Sequence, residues 1–144
     1  MTIREATEHD LDEILALIYE LAEYEELREH VVCTTDDLRR ALFGPEAVAS
    51  VSLAIDGSDA VAGHALWFRT FSTFLGRSGI WLEDLFIREP YRRHGHARAL
   101  LDHLRDQAEG RVEWEVLDWN RSAIEFYDGL GAQPQSGWTK YRWV

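Results

Sequence analysis

The stretch that decides the fold reads Trp81-Leu82-Glu83-Asp84-Leu85-Phe86-Ile87-Arg88-Glu89-Pro90-Tyr91-Arg92-Arg93-His94-Gly95-His96-Ala97. Residues 79–87 are a largely apolar run, typical of a central strand, and Glu89-Pro90 ends it. A helix is predicted over residues 95–109, since Ala99, Leu100, Leu104 and Ala108 recur on one side. This stretch therefore predicts a strand, a loop and a helix in succession.

A loop at a helix N-terminus presents free backbone N–H groups that can bind a phosphate. Gly95 and Ala97 are small where a diphosphate must approach the main chain closely, and Arg92 and Arg93 can add charge-assisted hydrogen bonds. An ordinary strand-to-helix turn explains the same residues equally well, so this stretch alone leaves both interpretations open.

The rest of the chain extends this pattern in both directions. Thr7 can cap a helix with apolar positions from Leu11 to Ala22, and Thr34 or Thr35 can cap a second helix. The predicted elements are a strand at 1–6, these helices at about 8–26 and 36–43, a hairpin of strands 47–55 and 60–69, a loop at 70–78, the strand 79–87, the helix 95–109, a strand at 112–116, a helix at 122–129 and a closing strand at 138–144. The order β-α-α-β-β-β-α-β-α-β predicts an α/β fold with a mixed sheet flanked by helices.

Length and composition predict one domain that spans residues 1–144. The chain has 144 residues, of which 46% are hydrophobic, and it contains no apolar run long enough to span a membrane and no signal peptide at its start. We therefore expect a cytoplasmic protein without a membrane partner. The single cysteine, Cys33, excludes an internal disulfide and a Cys-x-x-Cys redox site.

Charge and missing motifs exclude several functions. The net charge of −11 makes the chain repel phosphate backbones, so nucleic acid is not an expected partner. The sequence has no nucleotide-triphosphatase loop, no dinucleotide-binding loop after the first strand and no nucleophile elbow. His94, His96 and His103 lack the spacing of a recognisable metal site, so no metal is expected.

Several blocks of the sequence resemble the GCN5-related N-acetyltransferase (GNAT) superfamily. The resemblance rests on the R-x-x-G-x-[GA] pattern of residues 92–97, placed between a strand and a helix, and on Asn120, Phe126-Tyr127 and Gly131-Ala132. Residues 18–25, 81–87 and 119–127 further resemble the spermidine/spermine, or diamine, acetyltransferase group. Together these blocks span nearly the whole chain, and they imply a GNAT-like, largely antiparallel sheet.

The resemblance implies acetyl-CoA as the co-substrate. Its diphosphate would bind the loop from Arg93 to Arg98, and its pantetheine arm would lie along the edge of the strand at residues 85–87. A main-chain N–H near Phe86 would polarise the thioester carbonyl. The implied cofactor-binding residues are Leu85, Phe86, Ile87, Arg92, Arg93, His94, Gly95, His96, Ala97, Arg98, Asn120, Ser122, Ala123 and Tyr127.

The resemblance also implies catalytic and substrate-binding residues. Tyr127 matches the tyrosine that protonates the leaving thiolate, and Glu83 matches the acid that holds the cationic amine and accepts its proton through water. Asp84 lies beside Glu83, and because neighbours in an extended strand point to opposite faces, we expect at most one of them to face the site. Tyr24 and Glu25 match amine-contacting residues, in a family that forms homodimers. Purely structural interpretations of these residues are also possible: Tyr127 would be an aromatic core residue, and Tyr24 and Glu25 would belong to a solvated acidic helix end.

The predicted activity is acetyl transfer to a primary amine of a small cationic molecule, by direct attack in a ternary complex. Ser72 stands where relatives of the diamine group carry an acid, so a diamine or a thialysine-like amino acid fits as well as a polyamine. Nothing marks Cys33 as a nucleophile for a covalent acetyl-enzyme. Two alternatives stay open: acetylation of a protein lysine or N-terminus, and a non-catalytic acyl-CoA sensor, for which Glu83 and Tyr127 would be unnecessary.

Overall fold

A computed structural model describes all residues from Met1 to Val144. The chain forms the strands β1 (Thr2–Glu5), β2 (Ser50–Ile55), β3 (Val61–Ser72), β4 (Arg77–Ile87) and β5 (Val112–Trp114), and the helices α1 (Leu11–Tyr24), α2 (Thr35–Phe43), α3 (His96–Gln107) and α4 (Arg121–Gly129). The predicted α/β class with a mixed, largely antiparallel sheet is confirmed. None of the helices combines the length and the apolar character needed to cross a bilayer.

The five strands form one sheet in the order β1-β2-β3-β4-β5. Neighbouring strands are antiparallel except for β4 and β5, which run parallel and pair only from Ile80↔Val112 to Leu82↔Trp114. Strand β4 continues to Ile87 after β5 has ended, so the two strands separate beyond Leu82. This separation exposes one backbone edge of β4 to the cleft described below.

Two apolar clusters hold the helices against opposite faces of the sheet. On one face, Leu100, Leu101 and Leu104 of α3 pack with sheet residues that include Ile80 and Leu82. On the other face, α1 and α2 pack against residues that include Leu53 and Phe86. Burial of these stripes, about 25 cal/mol per Å² of apolar surface, is the main force that positions the ends of α1 and α3 beside β4.

A helix cap and two partly buried ion pairs fix where α1 and α2 lie. Thr34 accepts a hydrogen bond from the Asp37 N–H at 3.2 Å while Asp37 accepts one from the Thr34 N–H at 3.0 Å, which confirms the predicted cap of α2. Arg88, just after β4, binds the carboxylates of Glu13 and Glu20 on α1, the latter at 2.8 Å. These contacts tie α1 to the end of the central strand.

The predicted closing strand at 138–144 is wrong. Its alternation of aromatic and basic residues fits a strand, but the segment makes no backbone hydrogen bond and Trp138, Tyr141 and Trp143 are 82%, 91% and 99% exposed. The segment contacts the rest of the chain through an ion pair, in which Lys140 Nζ lies 2.7 Å from Glu115 Oε1. Alternation makes a strand only where a neighbouring backbone pairs with it, and here none does.

Several element boundaries also differ from those predicted, most clearly around residues 70–78 and at the end of β5. Residues 70–78 are not a loop throughout, because β3 continues to Ser72 and β4 already begins at Arg77, with Thr70↔Gly79 and Phe71↔Ser78 paired. Strand β5 ends at Trp114 instead of residue 116. The first difference reflects cross-strand pairing, which overrides the polar and aromatic character of that segment.

Candidate active site

A cleft of about 560 Å³ opens where β4 and β5 separate. The end of α1, the start of α3 and the start of α4 enclose it. Of the sequence-predicted site residues, those that line the cleft are Tyr24, Glu25, Glu83, Asp84, Leu85, Phe86, Ile87, Arg92, Arg93, Gly95, His96, Ala97, Arg98, Asn120, Ser122, Ala123 and Tyr127. Residues from four separate parts of the chain therefore meet in one place.

The loop before α3 presents unpaired amides to the cleft. None of the six backbone N–H groups from Arg93 to Arg98 has an acceptor within the chain, whereas the neighbouring Ala99 N–H bonds the Gly95 carbonyl at 2.9 Å. Arg93 and Gly95 hold positive φ angles of 65° and 86°, which turn the loop so that successive N–H groups converge. Converging amides at a helix N-terminus form an anion-binding site.

Two side chains of this loop have roles within the fold. The Arg92 Nε donates to the Ile87 carbonyl at 2.8 Å, and its guanidinium lies 5.3 Å from the centre of the Tyr24 ring. His96 is buried, and its Nδ1 bonds the Tyr91 carbonyl at 3.1 Å. His94 is the one predicted site residue that does not line the cleft: its side chain is exposed, and only its backbone N–H belongs to the anion-binding loop.

The free edge of β4 supplies further backbone donors. Arg88 N–H bonds the Ala62 carbonyl of the neighbouring chain segment at 2.8 Å. Because bonded and unbonded positions alternate along an antiparallel pair, Leu85 and Ile87 turn their N–H groups away from β3. Their backbones thus face the cleft on either side of Phe86, whose side chain packs on the α1 face.

Asn120 joins two walls of the cleft. Its buried side-chain oxygen caps α4 by accepting from the Ala123 N–H at 3.3 Å and also accepts from Ser122 Oγ at 3.4 Å. The Tyr24 hydroxyl, at the end of α1, donates to the same oxygen at 3.2 Å. No protein group accepts a hydrogen bond from the side-chain amide nitrogen of Asn120.

Tyr127 projects from α4 towards the same space. Its ring packs on Trp114 with 5.0 Å between the ring centres, and no protein group bonds its hydroxyl. Burial, together with the nearby Glu25 and Tyr24, raises the pKa of Tyr127 to about 12. The hydroxyl therefore stays protonated at neutral pH and is available as a proton donor.

Glu83 and Asp84 lie on the same face of the sheet, so the expectation that they point to opposite faces is wrong. Leu66 pairs with Asp84 and Trp67 with Leu82, which leaves Glu83 as the extra residue of a β-bulge. Apolar residues show the resulting shift: Ile80 and Leu82 pack towards α3 before the bulge, and Leu85 and Ile87 do so after it. Trp81 and Phe86 thus share the α1 side with both acids.

The two acids differ in their surroundings. Glu83 is exposed, and its Oε1 accepts a hydrogen bond from the Trp81 indole at 3.0 Å. Asp84 is largely buried, and burial together with the charges of Glu83 and Glu25 raises its pKa to about 7. Burial also raises the pKa of Glu25. This end of the cleft therefore brings three carboxyl groups together, and burial disfavours the charged forms of Asp84 and Glu25.

The structure adds lining residues that the sequence analysis missed: Leu21, Leu82, Tyr91, Trp114, Glu115, Val116 and Phe126. Tyr91 and Trp114 matter most, since they hold His96 and the Tyr127 ring respectively. The alternation of Val112, Trp114 and Val116 carried a signal for an inward face, but not for contact with Tyr127. No group of three or more His, Cys, Asp or Glu side chains is arranged to hold a metal ion.

Comparisons with known proteins match this chain to one class of enzyme. The model of the acetyltransferase (GNAT) family matches residues 9–132. The chain is 33% identical to thialysine N-epsilon-acetyltransferase of Caenorhabditis elegans over 91% of this chain and 84% of that protein, and 34% identical to the Bos taurus protein of that name over 97% and 90%. It is also 48% identical to L-ornithine N5-acetyltransferase NATA1 of Arabidopsis thaliana, over 54% of this chain and 36% of that protein.

Solved structures share the fold at low sequence identity. A mutant form of the BH1408 protein from Bacillus halodurans superposes with a TM-score of 0.81 at 21% identity and covers both chains completely. An aminoglycoside acetyltransferase from a soil metagenome, solved with sisomicin, superposes with a TM-score of 0.77 at 15% identity over 99% of this chain and 96% of that chain.

The protein is an acetyltransferase enzyme. The family match and the relatives together establish that the chain belongs to the GNAT family, as the resemblance of its motifs implied. Its activity is N-acetyl transfer to an amine.

Proposed function

We propose that the protein transfers an acetyl group from acetyl-CoA to a primary amine of a small cationic molecule, such as a diamine, a polyamine or a thialysine-like amino acid. The observation that carries this proposal is the single cleft, which joins unpaired amides at one end to three carboxyl groups at the other. The amides suit a diphosphate, and the carboxyl groups suit an ammonium ion.

The residues present fit acetyl-CoA. The amides from Arg93 to Arg98 would hold its diphosphate, with the exposed guanidinium groups of Arg93 and Arg98 as further partners. The free N–H groups of Leu85 and Ile87 would pair with its pantetheine arm and polarise its thioester carbonyl. Ser122, Ala123 and the amide nitrogen of Asn120 would line the far side. Acetyl-CoA supplies the activated acetyl group as a thioester.

Transfer needs a neutral amine and a protonated leaving group. The paired acids Glu83 and Asp84 would hold the substrate ammonium and take its proton, a role that the sequence analysis gave to Glu83. The amine nitrogen then attacks the thioester carbon directly, so that a C–N bond forms and the C–S bond breaks while both substrates are bound. Tyr127 would donate its proton to the departing sulfur. Cys33 has no part in this scheme, since it does not line the cleft and burial raises its pKa.

The acceptor class follows from the charges at the end of α1. Glu25 and Tyr24 line the cleft within their own chain, beside Asp84. A molecule with a second cationic group would place one ammonium at the acids on β4 and the other at Glu25. Thialysine and ornithine, after which these relatives are named, both carry two amino groups, which supports a small diamine-like acceptor over a protein tail.

Thiol release from acetyl-CoA would test the proposal directly, with a panel of diamines, polyamines, thialysine, ornithine, aminoglycosides and a histone-like peptide. A small diamine-like acceptor as the best substrate is the expected result. A peptide as the best substrate would support the alternative of protein acetylation. Binding of acetyl-CoA without turnover of any acceptor would support the alternative of a sensor.

We further propose that the protein works as a homodimer in the cytoplasm. Support for the dimer comes from the exposed aromatic side chains of Trp138, Tyr141 and Trp143, which a second copy would cover. Light scattering of the purified chain should give twice its 16.7 kDa mass. The cytoplasmic location and the absence of nucleic-acid partners stay predictions from the sequence.

A further inference from the structure

The β-bulge at Glu83 gives the two neighbouring acids different positions on one side of β4. Glu83 is the looped-out residue, exposed, with a carboxylate oxygen committed to the Trp81 indole at 3.0 Å. Asp84 lies one position deeper, between the bulge and Phe86, and no protein group donates a hydrogen bond to it. Its oxygens are not sealed in the core, since Asp84 lines the cleft.

We propose that Asp84 is the group that accepts the proton of the substrate ammonium, and that Glu83 acts as an outer carboxylate that attracts the substrate. This inference rests on the proposed function and refines it. An unbonded carboxylate in a desolvated wall of the cleft has spare acceptor capacity at the place where the amine must lose its proton. Glu83 is less suited to accept the proton, because its side chain is exposed and one of its carboxylate oxygens already accepts a hydrogen bond from Trp81.

The surroundings of Asp84 suit reversible proton transfer. The charged or titratable groups that face it are Glu83 on β4, Glu25 at the end of α1, and the thiol of Cys33 before α2. Arg92 lines the same cleft, but its Nε donates to the Ile87 carbonyl and it makes no ion pair with Asp84. Burial beside two acids raises the pKa of Asp84 to about 7, near the optimum for a group that must both gain and release a proton at neutral pH.

With this assignment, every proton that moves in the reaction has a donor and an acceptor. Asp84 takes one proton from the ammonium and leaves a neutral amine, whose nitrogen forms the C–N bond as the C–S bond breaks. Tyr127 gives its proton to the sulfur, and the proton that the nitrogen loses on becoming an amide returns to Tyr127 through water. Asp84 then releases its proton to solvent, so the net products are the acetylated amine, CoA thiol and one proton.

The test compares the matched variants Asp84→Asn and Glu83→Gln by their pH profiles of kcat/KM between about pH 5.5 and 9. The wild-type enzyme should lose activity below a pKa near 7. We expect Asp84→Asn to lower kcat by about a hundredfold or more and to abolish this acidic limb, with CoA affinity and thermal stability retained. Glu83→Gln should keep the limb and chiefly raise KM for the amine.

A second measurement separates the inference from folding and from the proposed function. An acceptor that is already neutral at pH 7, such as trifluoroethylamine, should show a much smaller loss on Asp84→Asn than ethylamine does. The inference is overturned if Asp84→Asn keeps the acidic limb, or if Glu83→Gln loses it. Failure of the wild-type enzyme to acetylate any amine would instead overturn the proposed function.

Discussion

The hydroxyl of Tyr24 and the side-chain oxygen of Asn120 are joined by a 3.2 Å hydrogen bond, although the two residues are 96 positions apart in the chain. The bond connects the last residue of α1 to the cap of α4, and so links the wall that carries Glu25 to the wall that carries Tyr127. Tyr24 also packs its ring near Phe86 and Trp119, with ring centres 6.5 Å and 6.4 Å apart. The acceptor end and the cofactor end of the cleft therefore share one polar contact.

Removal of this contact should have a small and specific cost. Tyr24→Phe keeps the ring and loses only the donor, so we expect the free energy of unfolding to fall by about 1 kcal/mol. Asn120→Ala should cost more, because it also removes the cap of α4. Urea denaturation of both single variants and the double variant measures the coupling. Strict additivity of the two losses would mean that the bond contributes nothing.

The anion-binding loop depends on the left-handed conformation of Gly95, whose φ is 86°. An added Cβ would meet nothing closer than Met1 Cε at 4.0 Å, so the cost of Gly95→Ala is backbone strain of about 1–2 kcal/mol and not a clash. The loop would relieve this strain by turning its amides away. We expect CoA affinity, measured by calorimetric titration, to fall about tenfold, which corresponds to about 1.4 kcal/mol.

Gly76 provides the matched control for this substitution. It also has a positive φ, 64°, with open space around its Cβ position, but it lies in the β3–β4 turn outside the cleft. Gly76→Ala should destabilise the protein by a similar amount and leave CoA affinity unchanged. If both variants bind CoA with the same affinity as the wild-type protein, the loop does not take part in cofactor binding.

Local sequence signals were sufficient for most of the fold. The helices have apolar stripes and the Thr34 cap, and the arginine- and glycine-containing loop predicted the start of α3. Residues 138–144 show where local signals are insufficient. Their alternating side chains are compatible with a strand, but the alternation does not indicate whether a neighbouring strand is available to pair with them. In the structure no strand pairs with them, and their aromatic side chains stay exposed.

The arrangement of Glu83 and Asp84 shows a second limit. A bulge is a property of the register between two strands, which here pairs Leu66 with Asp84 and Trp67 with Leu82. One sequence signal did exist: the inward apolar residues fall at 80, 82, 85 and 87, and the gap of three between 82 and 85 breaks the period of two. The expectation for Glu83 and Asp84 assumed strict alternation along the whole strand. It therefore missed this break in the period, and with it the possibility that both acids face the same side.

Tyr127→Phe tests the proton donor. The change keeps the contact with Trp114 and removes only the unbonded hydroxyl, so stability and CoA affinity should be retained while kcat falls about a hundredfold. Because the pKa of Tyr127 is raised to about 12, its ionisation should not limit activity below about pH 11. Tyr19→Phe, on α1 and outside the cleft, is the control for loss of a tyrosine hydroxyl. Wild-type turnover in Tyr127→Phe would leave water as the acid.

His64 should make stability depend on pH in a direction opposite to Asp84. His64 is fully buried on β3, neither ring nitrogen has a partner, and burial, with a smaller effect of Arg88, lowers its pKa from 6.5 to about 4. Between these values the unfolded chain binds more protons than the folded one, so His64 reduces the free energy of unfolding as the pH falls. The pKa of Asp84 is raised from 3.8 to about 7, so in the same window the folded chain binds the extra proton and Asp84 increases that free energy.

The two opposing contributions can be measured separately from the difference in the free energy of unfolding between each variant and the wild-type protein. The contributions of the other titrating groups cancel in that difference. His64→Leu fills the site with an apolar side chain and should be at least as stable as wild type at pH 7, with an advantage that grows by up to about 3 kcal/mol towards pH 4. Asp84→Asn should change in the opposite sense, with its stability relative to wild type falling as the pH drops from 7 to 4. Urea denaturation at several pH values measures both, and the double variant should show the sum of the two effects. A constant difference between His64→Leu and wild type across this window would mean that His64 titrates normally in the folded protein.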